Sequence, residues 1–286
     1  MVNSLDQLKQ LFIENNYCPD DRTVMAVFLA LKLKKPLLVE GPAGVGKTEL
    51  AKVISKSLNR PLIRLQCYEG LDESKALFEW NYQKQLLYIQ TLVNQGSNWQ
   101  DIKKNIFSEE FYLARPILQA LTAEKPVVLL IDEIDKSDQE FESFLLEALA
   151  EYQVTIPEIG TIKAKHIPFV LLTSNNTRAF SEALKRRCLH LYIDYPDKER
   201  ELEIILKKLP DLDKILAEKI ITFTSNIRKQ KIKKSPSIAE VIEWAQSALV
   251  SGQKDLNIDW VQQSLCVLLK YEEDIKTIMP KVASLL

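Results

Sequence analysis

The sequence predicts a three-layer α/β domain followed by an all-helical domain. Short apolar segments alternate with helical patterns in the first two thirds of the chain, and the last third has the pattern of helices throughout. Apolar runs without polar alternation are typical of parallel strands that helices cover on both faces. The predicted strands are Leu37–Glu40, Pro61–Gln66, Val127–Asp132, Phe169–Ser174 and Leu189–Tyr195.

The alternation of strands and helices ends near Pro196, and this indicates a domain boundary. We expect an α/β core over residues 1–196 and a helical domain over residues 197–286. Ser137 and Glu140 have the spacing of a capping box and predict the start of a helix there. The stretch 68–110 is longer than a usual connection between strands and contains helical pieces, and the segment 155–165 suggests a hairpin.

Composition and charge argue against several classes of protein. The chain has 38 Lys and Arg against 39 Asp and Glu, which is unsuited to coating nucleic acid or an anionic membrane. The longest apolar run, Val127–Ile131, is too short for a bilayer span, and Asp6 and Lys9 interrupt the N-terminal segment, unlike a secretory signal. Four dispersed cysteines and two histidines fit neither a disulfide framework nor a zinc centre. We expect a cytoplasmic protein without a membrane span.

Residues 41–48 match the phosphate-binding pattern G-x-x-x-x-G-K-[ST] at every position. Glycines allow successive N–H groups to converge on phosphate oxygens at the start of the following helix. The Lys47 ammonium can reach the β- and γ-phosphates, and the Thr48 hydroxyl suits Mg²⁺. We therefore predict nucleotide binding through Gly41, Pro42, Ala43, Gly44, Val45, Gly46, Lys47, Thr48 and Glu49.

Two acids, Asp132 and Glu133, end the third predicted strand. Neighbouring side chains of a strand point to opposite sides, so the two carboxylates have different tasks. In nucleotide hydrolases the first acid holds Mg²⁺, usually through water, and the second polarises the attacking water. Asp132 and Thr48 are therefore the predicted metal ligands, and Glu133 is the predicted catalytic base. A GTP-type N-K-x-D motif is absent from the sequence.

Two further polar motifs flank the last predicted strands. Asn175 and Asn176 follow the fourth strand, where an amide can hydrogen-bond the γ-phosphate or a water, although asparagine also favours turns. Arg186 and Arg187 precede the fifth strand. A guanidinium can stabilise a transferring phosphoryl group, and paired arginines can equally end a solvated helix. The residues alone leave these alternatives open.

The ordered motifs GPAGVGKTEL, VVLLIDEIDK, TSNN and ALKRRC, followed by a helical tail, resemble those of AAA+ ATPases. The phrases FLAL, PLLVEG, FLLEAL, QVTI and SPSIAE around them are similar to the MoxR family and its CoxD-like branch. The resemblance covers about residues 20–248. It implies a P-loop NTPase fold with an ASCE-type parallel sheet of order 5-1-4-3-2, a helical lid and assembly as a hexameric ring.

The resemblance also implies roles for individual residues. Asn175 would be sensor 1, and Arg187 would be an arginine finger that reaches the γ-phosphate of a neighbouring subunit, with Arg186 in support. Gln66 would hold Glu133 when a client is absent. The resemblance further implies ATP and Mg²⁺ as cofactors and a chaperone-like role in the maturation of a client protein complex, such as a metal-containing enzyme. A partner with a von Willebrand A domain often accompanies such proteins.

One position departs from the family pattern. Where many relatives place a sensor-2 arginine after Ser-Pro, this chain has Ser237. The basic run over residues 228–234 precedes it, and Lys233 or Lys234 could supply the missing charge, although a lysine is a point charge without the arginine fork.

Two other functions remain open at this stage. The basic run and the arginine pair are compatible with a DNA-directed AAA+ motor or loader, although the overall charge makes nucleic acid an unlikely partner. The second alternative is a nucleotide-gated scaffold with little turnover. A small-molecule kinase fits less well, because Glu133 suits attack by water.

Overall fold

The computed structural model describes residues 2–94, 106–156 and 159–286. Five of its strands form a parallel sheet, which confirms the predicted α/β fold class. In chain order the strands are β1 (Leu37–Glu40), β2 (Leu62–Gln66), β3 (Phe78–Trp80), β4 (Tyr112–Ala114), β5 (Val128–Asp132), β6 (Gln153–Ile156), β7 (Gly160–Lys163), β8 (Phe169–Ser174) and β9 (Leu189–Tyr192).

The parallel sheet has the order β2-β5-β8-β1-β9. Numbered along the chain, its strands follow the order 2-3-4-1-5, which is the expected order 5-1-4-3-2 seen from the other edge. Every residue of β5 and β8 is buried, and this explains why their sequences are apolar up to the polar residues at their carboxyl ends. The last strand ends at Tyr192, earlier than expected, because the chain then leaves the sheet to line a cavity with Ile193 and Tyr195.

Alternate side chains of each strand reach opposite faces of the sheet. On β5, Leu129 and Ile131 join the core on one face, and Val128 and Leu130 join the core on the other.

No helix in the described ranges is both long and apolar enough to cross a membrane. The helices are α1 (Leu5–Glu14), α2 (Asp21–Leu33), α3 (Lys47–Leu58), α4 (Glu73–Leu77), α5 (Tyr82–Asn94), α6 (Pro116–Thr122), α7 (Gln139–Ala150), α8 (Glu182–Arg187), α9 (Lys198–Lys208), α10 (Lys214–Arg228), α11 (Ile238–Val250), α12 (Ile258–Leu268), α13 (Glu272–Ile278) and α14 (Val282–Leu285).

The predicted capping box of Ser137 and Glu140 is wrong. The Ser137 hydroxyl donates to the Ile134 carbonyl at 2.8 Å and closes a short 3₁₀ turn after the acidic motif. Asp138 is the cap of α7 instead, because its carboxylate accepts the Phe141 N–H at 2.8 Å. A serine next to an aspartate leaves the helix start ambiguous in the sequence, since either side chain can cap.

The stretch 68–110 contains α4, β3 and α5, and β3 pairs antiparallel with β4. Edge-to-face contacts between Phe78, Trp80 and Tyr112 hold this small sheet together. Residues 95–105 lie outside the described residues. The suggested hairpin is the antiparallel pair β6 and β7, whose connecting residues 157–158 also lie outside the described ranges.

The helices α9 to α14 enclose their own apolar core, which is centred on Trp244. A buried ion pair crosses this region, since both terminal nitrogens of Arg228 donate at 2.8 Å to the carboxylate of Glu201. Arg228 Nε donates to the Pro236 carbonyl at 2.9 Å. Arg228 therefore fixes the segment that leads into α11.

We expect Arg228→Ala to lower the free energy of unfolding by about 3 kcal/mol, because it leaves the Glu201 carboxylate buried without its cationic partner. Urea unfolding followed by tryptophan fluorescence measures the change, since Trp244 lies in the same core. The control is Lys276→Ala, which removes an exposed ion pair with Glu272 and should change stability little. Equal effects of the two substitutions would contradict this account.

Candidate nucleotide-binding site

The predicted phosphate loop connects β1 to α3 at the carboxyl edge of the sheet. Gly44 and Gly46 have φ angles of +78° and +97°, which side chains other than glycine rarely adopt. Gly46 is the cap of α3 and has no side chain to occupy the first N–H groups of the helix. These donors therefore remain available to an anion at the positive end of the helix.

Lys47, the first residue of α3, is only 7% exposed. Its ammonium donates to the carbonyls of Gly41 and Pro42 at 2.7 and 2.6 Å, and to Asn175 Oδ1 at 2.9 Å. Burial lowers the pKa of Lys47, and the nearby carboxylates of Asp135, Asp132 and Glu133 oppose that effect. The structure thus brings the predicted phosphate-binding lysine and the predicted sensor asparagine into direct contact.

The two predicted metal ligands also meet. Thr48 Oγ1 lies 3.0 Å from Asp132 Oδ1, and Asp132 is only 2% exposed. Thr173 Oγ1 donates to the same carboxylate oxygen at 2.5 Å. Oxygen ligands suit Mg²⁺, and the described residues contain no cluster of three or more His, Cys, Asp or Glu side chains around a metal site. This donor set fits a Mg²⁺ ion that takes most of its ligands from triphosphate oxygens and water.

Glu133 lies at a sharp turn after β5, with a φ angle of +56°. Its carboxylate accepts from Gln66 Nε2 at 2.8 Å and from the Lys136 ammonium at 2.5 Å. Its backbone N–H donates to Thr173 Oγ1 at 2.9 Å. The predicted base is therefore held by two side chains in this structure, one of which is the glutamine proposed for that task.

The sequence analysis missed two residues of this network. Arg64 of β2 donates to Asp132 Oδ2 through Nε at 3.0 Å and Nη2 at 2.5 Å. The buried carboxylate of Asp135 accepts the Asn175 N–H at 3.2 Å and the Thr177 hydroxyl at 2.6 Å, so that it orients the loop that carries Asn175. An arginine inside the apolar strand LIRLQ, and a third acid within the run IDEID, were the available signals.

Arg186 and Arg187 are exposed at the end of α8, just before β9. Because β9 runs parallel to β1, its beginning lies at the opposite edge of the sheet from the phosphate loop. The four residues of β9 span about 13 Å. The structure therefore does not bring either arginine to the phosphate loop of its own chain.

A cavity of about 560 Å³ lies beside the phosphate loop. Its walls are the loop itself, the segment 16–20, residues 192–197 and the helices α9 and α11. Glu49, a predicted binding residue, lines this cavity and pairs with Lys208 of α9 at 2.7 Å. Arg200 of α9 pairs with Asp20 at 2.9 Å across the same space. The size and the mixed lining are those of a small-ligand pocket.

Ser237, which stands where the resemblance would place a sensor-2 arginine, lies directly against the phosphate loop. A Cβ on Gly44 would lie 2.2 Å from Ser237 Oγ. Ser237 and Glu240 form a capping box at the start of α11. The Lys234 ammonium pairs with Glu240 at 3.0 Å, whereas that of Lys233 lies over the Tyr271 ring. Burial favours a higher pKa for Glu240, but the hydrogen bonds from Ser237 and Lys234 outweigh it and lower the pKa.

Residues 37–195, more than half of the chain, match the family model described as "ATPase family associated with various cellular activities (AAA)". An uncharacterized protein of Staphylococcus saprophyticus is 28% identical over 221 residues, which cover 74% of this chain and 76% of the relative. An uncharacterized protein of Staphylococcus haemolyticus is 27% identical over 224 residues, covering 76% and 77% of the two chains.

Solved structures with a similar fold include variants of RuvB from Thermotoga maritima. One superposes with a TM-score of 0.51 at 18% identity and covers 93% of this chain and 71% of that chain. Another superposes with a TM-score of 0.50 at 20% identity and covers 93% and 70%. At this level of identity the likeness concerns the fold.

We expect Gly44→Ala to weaken ATP binding about tenfold or more, equivalent to at least about 1.4 kcal/mol, because the methyl added to the phosphate loop collides with Ser237 at the start of α11. Anisotropy of a fluorescent ATP analogue measures the affinity. Gly70→Ala is the matched control, since Gly70 has a similar φ of +76° but no heavy atom lies within 4 Å of the added carbon. Equal affinity of the two variants would show that the contact with Ser237 has no part in binding.

Proposed function

Because the chain belongs to the AAA family of ATPases, we propose that it hydrolyses ATP with Mg²⁺ in a homo-oligomeric ring and uses the reaction to remodel a client protein complex. The observation that carries this proposal is the convergence of three separated motifs at one edge of the sheet. Lys47 contacts Asn175, and Thr48 contacts Asp132, while Glu133 follows Asp132 directly.

In this proposal the phosphate loop and Lys47 bind the triphosphate, and Thr48 and Asp132 would hold Mg²⁺. Mg²⁺ neutralises charge on the phosphate oxygens. Glu133 accepts a proton from the attacking water, and Asn175 orients that water or the γ-phosphate. The cavity beside the loop would receive the adenosine moiety.

The position of Arg187 supports a site shared between subunits. The residue is exposed at the edge of the sheet opposite its own phosphate loop. In a closed ring with head-to-tail contacts, that surface would face the nucleotide of the next copy. Arg187 would then stabilise the charge of the transferring phosphoryl group, with Arg186 in support. We propose six subunits in the ring because the sequence resembles a family that forms hexameric rings.

We further propose that residues 197–286 form a lid whose position depends on the nucleotide. Two ion pairs, Arg200 with Asp20 and Lys208 with Glu49, connect α9 to the core on either side of the cavity. Ser237 contacts the phosphate loop from α11. A nucleotide in the cavity would therefore contact both parts of the chain, and its hydrolysis would change the angle between them.

The motif phrases favour the MoxR family and its CoxD-like branch, and with them a chaperone-like role in the maturation of a client such as a metal-containing enzyme. A partner with a von Willebrand A domain fits the same assignment. The basic run gives less support to a DNA-directed motor, because Arg228, Lys233 and Lys234 are engaged within the chain. Salt-dependent stimulation of the ATPase by DNA would favour that alternative.

We expect Glu133→Gln to bind ATP normally but to lower turnover at least about 100-fold, since no group remains to accept the proton from water. Light scattering with and without ATP should show a larger assembly in the trapped state. The control is Lys47→Ala, which should not bind ATP tightly or assemble in response to it. Affinity capture of the Glu133→Gln form with ATP should retain the client, and a monomer unaffected by ATP would contradict the ring.

We expect Arg187→Ala to bind ATP without turnover, because the finger of each subunit acts on its neighbour. Mixing it with Lys47→Ala should restore activity, since Lys47→Ala subunits still supply an intact Arg187. Random mixing of equal amounts in a closed ring gives about a quarter of all sites both an intact Lys47 and an intact neighbouring Arg187. Absence of recovery in rings shown to contain both variants would indicate action within one chain.

A further inference from the structure

Both oxygens of the Asp132 carboxylate are already engaged. Oδ1 accepts hydrogen bonds from Thr48 and Thr173, and Oδ2 accepts two from the guanidinium of Arg64. Arg64 and Asp132 form an ion pair with an N–O distance of 2.5 Å. The oxygen that faces away from Thr173 is thus covered by a cation that belongs to the protein.

Arg64 is not needed for the packing of the strand that carries it. Strand β2 is an edge strand of the sheet, and the Arg64 side chain is 52% exposed, whereas that of Asp132 is 3% exposed. The apolar neighbour Leu65 is the residue of β2 that enters the core. The guanidinium can therefore swing into solvent, while the carboxylate stays fixed beside the phosphate loop.

A hydrated Mg²⁺ ion and the Arg64 guanidinium require the same carboxylate. A metal held through Asp132 draws on the same carboxylate, whose Oδ2 now accepts two N–H groups of Arg64. Two cations on one side of a buried carboxylate also repel each other. Arg64 on Oδ2 therefore opposes the binding of a metal at Asp132.

We propose that Arg64 is a resident counter-ion of the metal site, which holds Asp132 while the site is empty and raises the Mg²⁺ concentration needed to fill it. This inference rests on the proposed function, because it requires that Asp132 takes part in holding Mg²⁺ with bound ATP. It identifies Arg64 as a positioning residue, since it acts through Asp132.

The same arginine connects the metal site to the catalytic base. Arg64 Nη2 also donates to Gln66 Oε1, and Gln66 Nε2 donates to Glu133 at 2.8 Å. When Arg64 leaves Asp132, Gln66 loses a contact that orients its amide toward Glu133. Binding of a metal therefore weakens the contacts by which β2 holds the carboxylates of Asp132 and Glu133.

The test is a titration of Arg64→Gln and wild type with Mn²⁺ as the metal probe, in the presence of a non-hydrolysable ATP analogue. Electron paramagnetic resonance reports the free Mn²⁺, so the result is independent of turnover. We expect Arg64→Gln to bind Mn²⁺ about fivefold tighter or more, in the range of typical coupling between sites. Arg64→Lys, which keeps the charge but loses the fork, should lie between the two.

The matched control is Arg115→Gln, which makes the same change of charge in an exposed ion pair with Glu79 and should leave Mn²⁺ binding unchanged. Unchanged or weaker Mn²⁺ binding by Arg64→Gln would overturn the proposal. A loss of analogue binding that is equal with and without metal would also overturn it and make Arg64 a phosphate contact. Wild type that binds no analogue at all would instead refute the proposed function.

Discussion

The arrangement of the site depends on a balance of buried charge at the carboxyl edge of the parallel sheet. The carboxylates of Asp132, Glu133 and Asp135 gather within one short segment, because β5 ends there. Burying a carboxylate is costly unless cations or hydrogen-bond donors surround it. Arg64 forms an ion pair with Asp132, and Lys136 forms one with Glu133. Hydrogen bonds from the loop that carries Asn175 stabilise Asp135.

This balance defines a resting state of the site. Lys47 is held by carbonyls of its own loop and by Asn175, so that the group expected to meet the γ-phosphate is already fixed in place. A triphosphate brings negative charge to the loop and draws on the same donors. Binding must therefore replace some of the contacts of Lys47, while Arg64, whose side chain is half exposed, can move at lower cost than a buried partner.

The fold was largely predictable because its signals are local. Continuous apolar runs marked the strands of the parallel sheet, and the motif residues follow the strands that place them together. The strand order required the resemblance to a known family, since periodicity does not determine which strands are neighbours. The helix cap at Asp138 was missed because Ser137 and Asp138 compete for the same task.

The partners of the site residues were harder to predict. Arg64 and Asp132 are far apart in the sequence and meet only because β2 and β5 are adjacent in the sheet. The contact between Gly44 and Ser237 similarly depends on how α11 lies against the phosphate loop. Side-chain contacts of this kind follow from tertiary packing, which single-sequence patterns do not encode.

The close approach of Ser237 to Gly44 limits the side chains that the start of α11 can carry. Ser237 is 2% exposed and fills the space between α11 and the loop, so an arginine side chain at position 237 does not fit in this arrangement. A longer side chain would push the helix off the loop and break the cap that Glu240 makes with the serine. A change of residue 237 to arginine therefore requires a compensating shift of the start of α11.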